Sequence, residues 1–184
     1  MRSILNNSEY IKIATARAGN VIGGGDWSKD RLIPDAINHW QNNKTLTLRN
    51  PLATRPWQHV LEPILGYLEL GIFISQNELK PQELGDNSFN FGPKQIDNLN
   101  VESVIKILSS FWENSKYRIS HDKKFHEASL LNLSCDKSTK LLSWEPRLRI
   151  KDALLITSNW YKEQKKLDNM YDFTIQQIES FLNL

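Results

Sequence analysis

The stretch that most constrains the fold is residues 11–34, IKIATARAGNVIGGGDWSKDRLIP, which starts with strand-forming residues and ends at a helix start. Ile11, Ile13 and Val21 are β-branched and surround small residues, a pattern typical of a parallel strand packed on both faces. Three glycines, residues 23–25, then permit positive φ angles and close backbone approach. Because ligands in open α/β sheets bind at the carboxyl ends of strands, we interpret this stretch as one wall of a ligand cleft. An ordinary strand–loop–helix connection is the alternative, since a glycine triplet is a weak signal.

The remaining apolar pattern predicts alternating helices and short strands. Apolar spacing of three and four indicates helices at about residues 32–40, after Pro63, after a capping Asn100, at 150–161, and a shorter one in the tail 168–184. Strands are predicted at residues 11–17, 46–48, 88–91 and 117–119, with alternating leucines at 131 and 133. In the helix after Pro63 we expect one apolar stripe, made of Leu61, Ile64, Leu65, Leu68 and Ile72.

Composition excludes several classes of protein. The 184 residues contain 23 basic and 21 acidic side chains without long blocks of one sign, which argues against a nucleic-acid surface. The single Cys135 permits no internal disulfide and favours a reducing compartment, so we expect a cytoplasmic protein. No apolar run approaches the length of a membrane span, and residues 1–10 lack a signal-peptide core. His121 and His126 lie beside carboxylates but lack a third ligand and an ordered spacing, so we predict no metal site.

A second stretch, RNPLATRPWQHVLEP at residues 49–63, carries side chains suited to anion and aromatic recognition. Arg49 and Arg55 offer planar forks that can bind a diphosphate, and Trp57 and His59 offer flat faces with hydrogen-bonding edges. Two alternatives stay open: the arginines are solvated surface residues, or Arg55 pairs with Glu62 and pins the loop. We expect the charge of Glu62 to be structural, since it lies near the positive end of a helix dipole.

These motifs resemble the CDP-glucose 4,6-dehydratases, a branch of the extended short-chain dehydrogenase/reductase (SDR) family. The resemblance covers residues 11–162 and rests on the order and spacing of several motifs. These are ARAGNVIGGGDW at residues 16–27, RLIP at 31–34, RNP at 49–51, TRPWQHVLEP at 54–63, NFGP at 90–93 and HEA at 126–128. The closing pattern, from Asp136 through WEP at 144–146 to Trp160 and Tyr161, is similar to the tail of the family's nucleotide-sugar enzymes.

The resemblance implies an α/β fold and a division of the chain. We expect the C-terminal part of an extended Rossmann-type fold, with the last strands of a parallel sheet and a smaller, mainly helical substrate-binding domain. Residues 1–30 are expected to end the NAD(P)-binding domain, residues 31–167 to form the nucleotide-sugar-binding part with one or more returning strands, and residues 168–184 to form a tail helix.

The family's catalytic groups are expected to lie elsewhere. The resemblance places a Gly-rich NAD fingerprint, a threonine and a Tyr-x-x-x-Lys pair before the strand that begins at Ile11, and we interpret this chain as lacking all of them. In the family, NAD takes a hydride from C4 of the hexose, water is lost across C5 and C6, and the hydride returns to C6. We therefore assign no catalytic residue to this chain and expect it to be inactive alone.

The resemblance also assigns substrate contacts by position. Asn20 contacts the substrate diphosphate beside the nicotinamide, and Arg31, Leu32 and Pro34 line the nucleotide pocket. Arg55 binds the diphosphate, and Arg49 lies near the base. Gln95 is assigned to the nucleotide ribose. His126 and Glu127 are assigned to a further phosphate or ribose contact. Cofactor contacts are assigned to Arg17, Ala18 and Asn20.

Two functions follow from the sequence. The first is the substrate-binding portion of an NAD-dependent 4,6-dehydratase that converts CDP-glucose to its 4-dehydro-6-deoxy product in deoxysugar and O-antigen lipopolysaccharide synthesis. The second is a non-catalytic nucleotide-sugar-binding subunit, or a part of another nucleotide-sugar epimerase or dehydratase. Either way, the expected partners are a nucleotide sugar and an N-terminal half or a complete homologous subunit, with homo-oligomers also possible. Exposed apolar patches are expected around Ile11, Ile13 and Phe89.

Overall fold

The structure, a computed structural model, describes residues 12–76, 87–120 and 131–184. Within these ranges, short strands alternate with helices, as predicted for an α/β protein. The strands are β1 (Thr15–Ala18), β2 (Asn20–Ile22), β3 (Leu46–Leu48), β4 (Thr54–Arg55), β5 (Trp57–His59), β6 (Ser88–Phe91), β7 (Leu99–Asn100) and β8 (Tyr117–Ile119). The helices are α1 (Leu32–Gln41), α2 (Leu61–Gln76), α3 (Val101–Ser110), α4 (Asp136–Leu142), α5 (Ile150–Glu163) and α6 (Tyr171–Leu182), with a 3-10 helix at Gln95–Asp97.

Most predicted helices are confirmed, and their ends show why they form. Asn100 caps α3, because its side-chain oxygen accepts a hydrogen bond from the backbone N–H of Ser103 at 2.8 Å. The start of α5 is held by the buried Asp97, whose carboxylate accepts hydrogen bonds from the Arg149 guanidinium at 2.8 and 3.0 Å and from the Ile150 N–H at 3.2 Å. The alternating leucines at 131 and 133 lie outside any strand or helix.

The strands associate in pairs rather than in one continuous ladder. Parallel pairs join β1 to β6, β2 to β5 and β3 to β8, while β4 and β7 are antiparallel. The first strand begins at Thr15, later than predicted, and its first three residues are exposed. The prediction of a strand packed on both faces is therefore wrong for β1, since β6 is the only strand beside it among the described residues.

Two apolar clusters form the core. The larger one joins α1, α3 and α5 to β2, β3 and β5, and its fully buried residues include Ile37, Ile105 and Leu154. The smaller one lies between α2, α4 and β6 and contains Leu70, Phe89, Phe91 and Trp144. Phe89 is 1% exposed, so the expectation of an exposed patch around it is wrong: its ring is covered by this second cluster, beneath the Lys137 ammonium at 4.6 Å. Ile13 is half-buried, and Ile11 lies outside the described residues.

Helix α2 packs with the opposite face to the one expected. Its buried positions include Glu62, Pro63, Gly66 and Leu70. The absence of a side chain at Gly66 permits this packing, because a Cβ there would lie 2.3 Å from the Phe91 ring. The large apolar residues consequently turn outward: Ile64 is 45% exposed, Leu68 62% and Ile72 56%. No helix in the described ranges has both the length and the apolar character needed to cross a membrane.

Candidate functional site

A cleft of about 620 Å³ opens at the carboxyl end of β1, where ligands bind in open α/β sheets. Its walls come from β2, the loop that follows, the start of α1, β3 with the next two residues, and Arg55 and Trp57. Six of the predicted substrate residues line it: Asn20, Arg31, Leu32, Pro34, Arg49 and Arg55. The structure therefore brings together residues that are up to 35 positions apart in sequence, from Asn20 to Arg55.

The cleft forms because the chain changes its strand partner at Gly19. The Gly19 N–H donates to the Phe91 carbonyl at 3.1 Å, which continues the β1–β6 pair, and the next N–H, of Asn20, donates to the Pro56 carbonyl at 2.7 Å. A Cβ at Gly19 would lie 2.2 Å from that Pro56 oxygen, so only glycine permits the approach. This switch places Asn20 at the floor of the cleft between two strand pairs.

Aspartates hold two of the cleft arginines at its rim. Arg31 contacts Asp26 at 3.4 Å and Arg49 contacts Asp30 at 3.1 Å, and both guanidinium groups are more than half exposed. No sequence pattern marked Asp30 as a partner of Arg49, because the placement of Asp30 depends on its positive φ of 63° in the loop before α1. Arg55, which is half-buried, donates to the Thr54 carbonyl at 2.9 Å.

Asp26 ties the glycine loop to both α1 and α5. Its carboxylate accepts the Ser28 N–H at 2.9 Å, and its carbonyl accepts the Tyr161 hydroxyl at 2.5 Å. Burial acts against the charged form of Asp26, but hydrogen bonds from Ser28 and the charge of Arg31 outweigh it and lower the pKa of the carboxyl. Asp26 is therefore a charged anchor at the cleft mouth.

The glycine triplet packs against protein and not against open space. A Cβ at Gly24 would lie 2.0 Å from the Trp160 ring, and one at Gly23 would lie 2.8 Å from Val60. Only Gly25 of the three has a positive φ, of 80°. The expected close approach of backbone thus occurs, but the group that approaches Gly24 is an indole of α5.

Glu62 does not fill the role of partner to Arg55. The Glu62 carboxylate is buried, and one of its oxygens accepts the backbone N–H groups of Arg147 at 2.9 Å and Leu148 at 2.6 Å. The other oxygen has no hydrogen-bond partner among the described residues. Burial raises the pKa of Glu62, partly offset by these hydrogen bonds and by the charges of Arg147 and Lys94. Glu62 is structural, as predicted, and it orders the turn before α5.

Trp57 and His59 belong mainly to the core, contrary to the recognition role expected for them. Both are at most 5% exposed. The Trp57 indole N–H donates to the Leu99 carbonyl at 3.0 Å, and one ring nitrogen of His59 accepts the Leu61 N–H at 3.4 Å. Trp57 still contributes to the cleft wall. Among the described residues, no three histidine, cysteine or acidic side chains are grouped as metal ligands would be.

Among the described residues, the predicted site residues Arg17, Ala18 and Gln95 do not line this cleft. Gln95 is exposed on the 3-10 helix and lines a separate, shallower cleft of about 380 Å³ with Cys135 and Glu145. Arg17 and Ala18 lie on β1 in register with Asn90 and Phe91. His126 and Glu127 lie outside the described residues.

A Tyr-x-x-x-Lys spacing does occur in this chain, at Tyr161 and Lys165, which corrects the reading that the pattern is absent. Its environment is that of a packing motif. Tyr161 is fully buried, and burial raises its pKa to about 12, which opposes the ionisation that acid/base work requires. Lys165 lies over the Trp112 ring at 5.8 Å. The pair is therefore no substitute for the family's catalytic tyrosine and lysine.

No family model matches the chain. Over an alignment of 186 positions it is 34% identical to the CDP-glucose 4,6-dehydratase of Salmonella typhimurium, covering 98% of this chain and 51% of that enzyme. The chain thus spans about half the length of the curated relative it matches.

Solved structures agree on the fold. The UDP-glucuronic acid 4-epimerase of Bacillus cereus, solved with UDP-glucuronic acid and NAD, superimposes with a TM-score of 0.65 at 15% identity, covering 89% of this chain and 49% of that one. The dTDP-glucose 4,6-dehydratase of Bacillus anthracis, solved with NAD, gives 0.60 at 17% identity, covering 82% and 44%. The chain is therefore similar to a C-terminal portion of a CDP-glucose 4,6-dehydratase, and it shares its fold with the solved nucleotide-sugar epimerase and dehydratase.

Proposed function

We propose that the cleft beside Asn20 binds the nucleoside diphosphate portion of a nucleotide sugar, with CDP-glucose as the substrate that the sequence relative favours. The observation that carries this proposal is the convergence of three arginines and the Asn20 amide on one cavity of about 620 Å³. That volume lies within the range of about 300 to 1,000 Å³ common for small-molecule sites. Leu32 and Pro34 supply the apolar wall that a nucleoside requires.

The ion pairs at the rim are compatible with this role. An exposed pair such as Arg49–Asp30 contributes about 0 to 1 kcal/mol, because water screens the two charges. A charge-assisted hydrogen bond to a phosphate contributes about 1.5 to 3 kcal/mol. A diphosphate can therefore replace the aspartates as the partner of these arginines. Without a ligand, the aspartates hold the guanidinium groups at the rim of the cleft.

In the whole enzyme this part is proposed to hold substrate while NAD and the acid/base groups are supplied by a partner. The described residues do not fit the phosphates of NAD, because Val60 and Trp160 occupy the space that a Gly-rich phosphate loop leaves open. The contacts proposed here for the cofactor are limited to Arg17, Ala18 and Asn20. The partner is an N-terminal half or a complete homologous subunit, in a cytoplasmic pathway of deoxysugar synthesis.

Titration calorimetry of the 184-residue chain with CDP-glucose tests the cleft. Arg55→Ala is expected to weaken binding by about 1.5 to 3 kcal/mol, roughly ten- to a hundredfold, because a charged two-pronged contact is lost. Arg55→Lys should restore only part of the affinity, since a point charge cannot reproduce the fork.

Lys151→Ala is the matched control, because it removes one positive charge from an exposed position on α5 outside the cleft. It should leave the affinity unchanged. A thermal melt of each variant separates binding from stability. If Arg55→Ala lowers the melting temperature and keeps the affinity within a factor of about two, Arg55 only pins its loop and the proposal for it fails.

The second candidate function is a non-catalytic nucleotide-sugar-binding subunit, favoured by the full burial of Tyr161, whose hydroxyl donates to the Asp26 carbonyl. Native mass measurement on the source cell distinguishes the two. A larger polypeptide that contains this sequence supports the dehydratase, and a stable 184-residue species bound to a complete homologue supports the subunit.

A further inference from the structure

The cleft contains a carboxylate that the binding of a diphosphate does not use. Asp35 lies in the first turn of α1, is half-buried and lines the cleft. Burial and the charge of Asp30 raise the pKa of this carboxyl. The charges of His39 and Arg49 act against that rise, as does a hydrogen bond from the backbone N–H of Asp30 to the Asp35 carboxylate. Because phosphate oxygens and a carboxylate repel each other, we expect an uncharged part of the ligand beside Asp35.

The surroundings of Asp35 suit a flat heterocycle better than a sugar. Helix α1 packs against β3, and Leu46 and Leu48 of that strand line the cleft together with Ile33 and Pro34 of the helix. A heteroaromatic ring gains from contact with such apolar side chains, whereas the hydroxyl groups of a ribose would lose their water there. The uncharged group expected beside Asp35 is therefore the base of the nucleotide.

The chemistry of a carboxylate favours one pyrimidine over the other. Cytosine presents an amino group at position 4, and aspartate is one of the side chains that accept a hydrogen bond from it. Uracil carries a carbonyl oxygen at the same position, which a carboxylate repels. We propose that the Asp35 carboxylate accepts a hydrogen bond from the 4-amino group of cytosine and thereby selects cytidine over uridine nucleotides. This assignment rests on the proposed function of the cleft and adds the residue that recognises the base.

Titration calorimetry of the 184-residue chain with CDP and with UDP tests the proposal. The wild-type chain is expected to bind CDP more tightly than UDP by roughly tenfold or more, because the carboxylate gains a partner only from cytosine. Asp35→Asn keeps the shape of the side chain and replaces one oxygen by an amino donor, which can meet the uracil carbonyl. This variant should lose the preference for CDP, chiefly because its affinity for UDP rises. A residue that only orders its loop would not produce a gain in UDP affinity.

Asp152→Asn is the matched control, because it makes the same change in the first turn of α5, at an exposed position outside the cleft. It should leave both affinities unchanged. Equal affinity of the wild-type chain for CDP and UDP would overturn the assignment of Asp35 and leave the proposed function standing, whether or not Asp35→Asn folds. An equal loss of both affinities in Asp35→Asn would also overturn it, since the carboxylate would then order its loop or bind the ribose. Failure of the wild-type chain to bind either nucleotide would overturn the proposed function and this assignment together.

Discussion

At the scale of single residues, His59 shows how burial sets a charge. The imidazole is 3% exposed, and burial lowers its pKa from 6.5 to about 4. One ring nitrogen accepts the Leu61 N–H, while the other has no partner among the described residues. His59 is therefore neutral in the folded protein at every pH above about 4. In the unfolded chain the same side chain takes up a proton near pH 6.5.

This difference predicts a pH dependence of stability. Because the pKa of His59 is lower in the folded state, the neutral side chain contributes its full stabilisation above pH 6.5. That contribution is lost as the pH falls towards 4, which lowers the free energy of unfolding by on the order of 3 kcal/mol. Urea unfolding at pH 7 and pH 4.5 should show a smaller loss for His59→Asn than for the wild type, since asparagine does not titrate. An equal loss in the two proteins would contradict this origin, and the ring-proton shifts of His59 by NMR would show the titration directly.

At the scale of elements, the packing of the glycine loop on α5 decides how the cleft is walled. Trp160 lies directly against Gly24, and its indole N–H donates to Thr174 of α6 at 3.0 Å. Tyr161 binds the Asp26 carbonyl and meets the Trp27 ring edge-to-face at 5.1 Å. Two neighbouring residues of one helix therefore hold the loop that carries the cleft mouth, and they connect it to the C-terminal helix.

Gly24→Ala should destabilise the protein by about 1 to 3 kcal/mol, because the new methyl group would overlap the Trp160 ring and force the loop or the helix to move. Gly71→Ala is the opposite case: it adds a methyl group in open space within α2 and should stabilise by about 0.5 to 1 kcal/mol. Urea denaturation of both variants measures the two changes in the free energy of unfolding. A neutral or stabilising effect of Gly24→Ala would contradict the role of the contact with Trp160, because the loop would then accommodate the methyl group without cost.

At the scale of the whole molecule, the cleft is built by the larger core, while the smaller core lies under β1 and β6, beside the exposed apolar residues Ile64, Leu68 and Ile72 of α2. The cleft and the exposed outer face of α2 therefore rest on different parts of the structure.

We accordingly predict no dehydratase turnover by the isolated chain. The glycine loop is closed by Trp160, and Tyr161 is engaged with the Asp26 carbonyl, so neither can supply the cofactor site or the catalytic tyrosine. Incubation with CDP-glucose and NAD, followed by mass spectrometry for the 4-keto-6-deoxy product, measures this, with the Salmonella enzyme as the positive control. Product at an ordinary enzymatic rate would show that the chain is catalytically complete.

The sequence by itself determined the elements that depend on local pattern. Helix α3 with its Asn100 cap, helices α1, α5 and α6, and strands β3, β6 and β8 follow from apolar spacing and capping chemistry, which act over a few residues. The motifs also located one wall of the cleft, because the residues from Asn20 to Pro34 and the arginines at 49 and 55 line it. The roles assigned to these residues stay predictions, as do those of Arg17, Ala18, Gln95, His126 and Glu127.

Only the tertiary structure decided which partners those elements meet. The face that α2 buries depends on Gly66 meeting Phe91, and the burial of Phe89 depends on α4, which is more than 40 residues away in sequence. Gln95 lies in another cleft because Asp97 ties its 3-10 helix to the start of α5. The aspartates that hold Arg31 and Arg49 depend on a loop with a positive φ. Such contacts join residues distant in the chain, and periodicity carries no information about which distant surface each side chain meets.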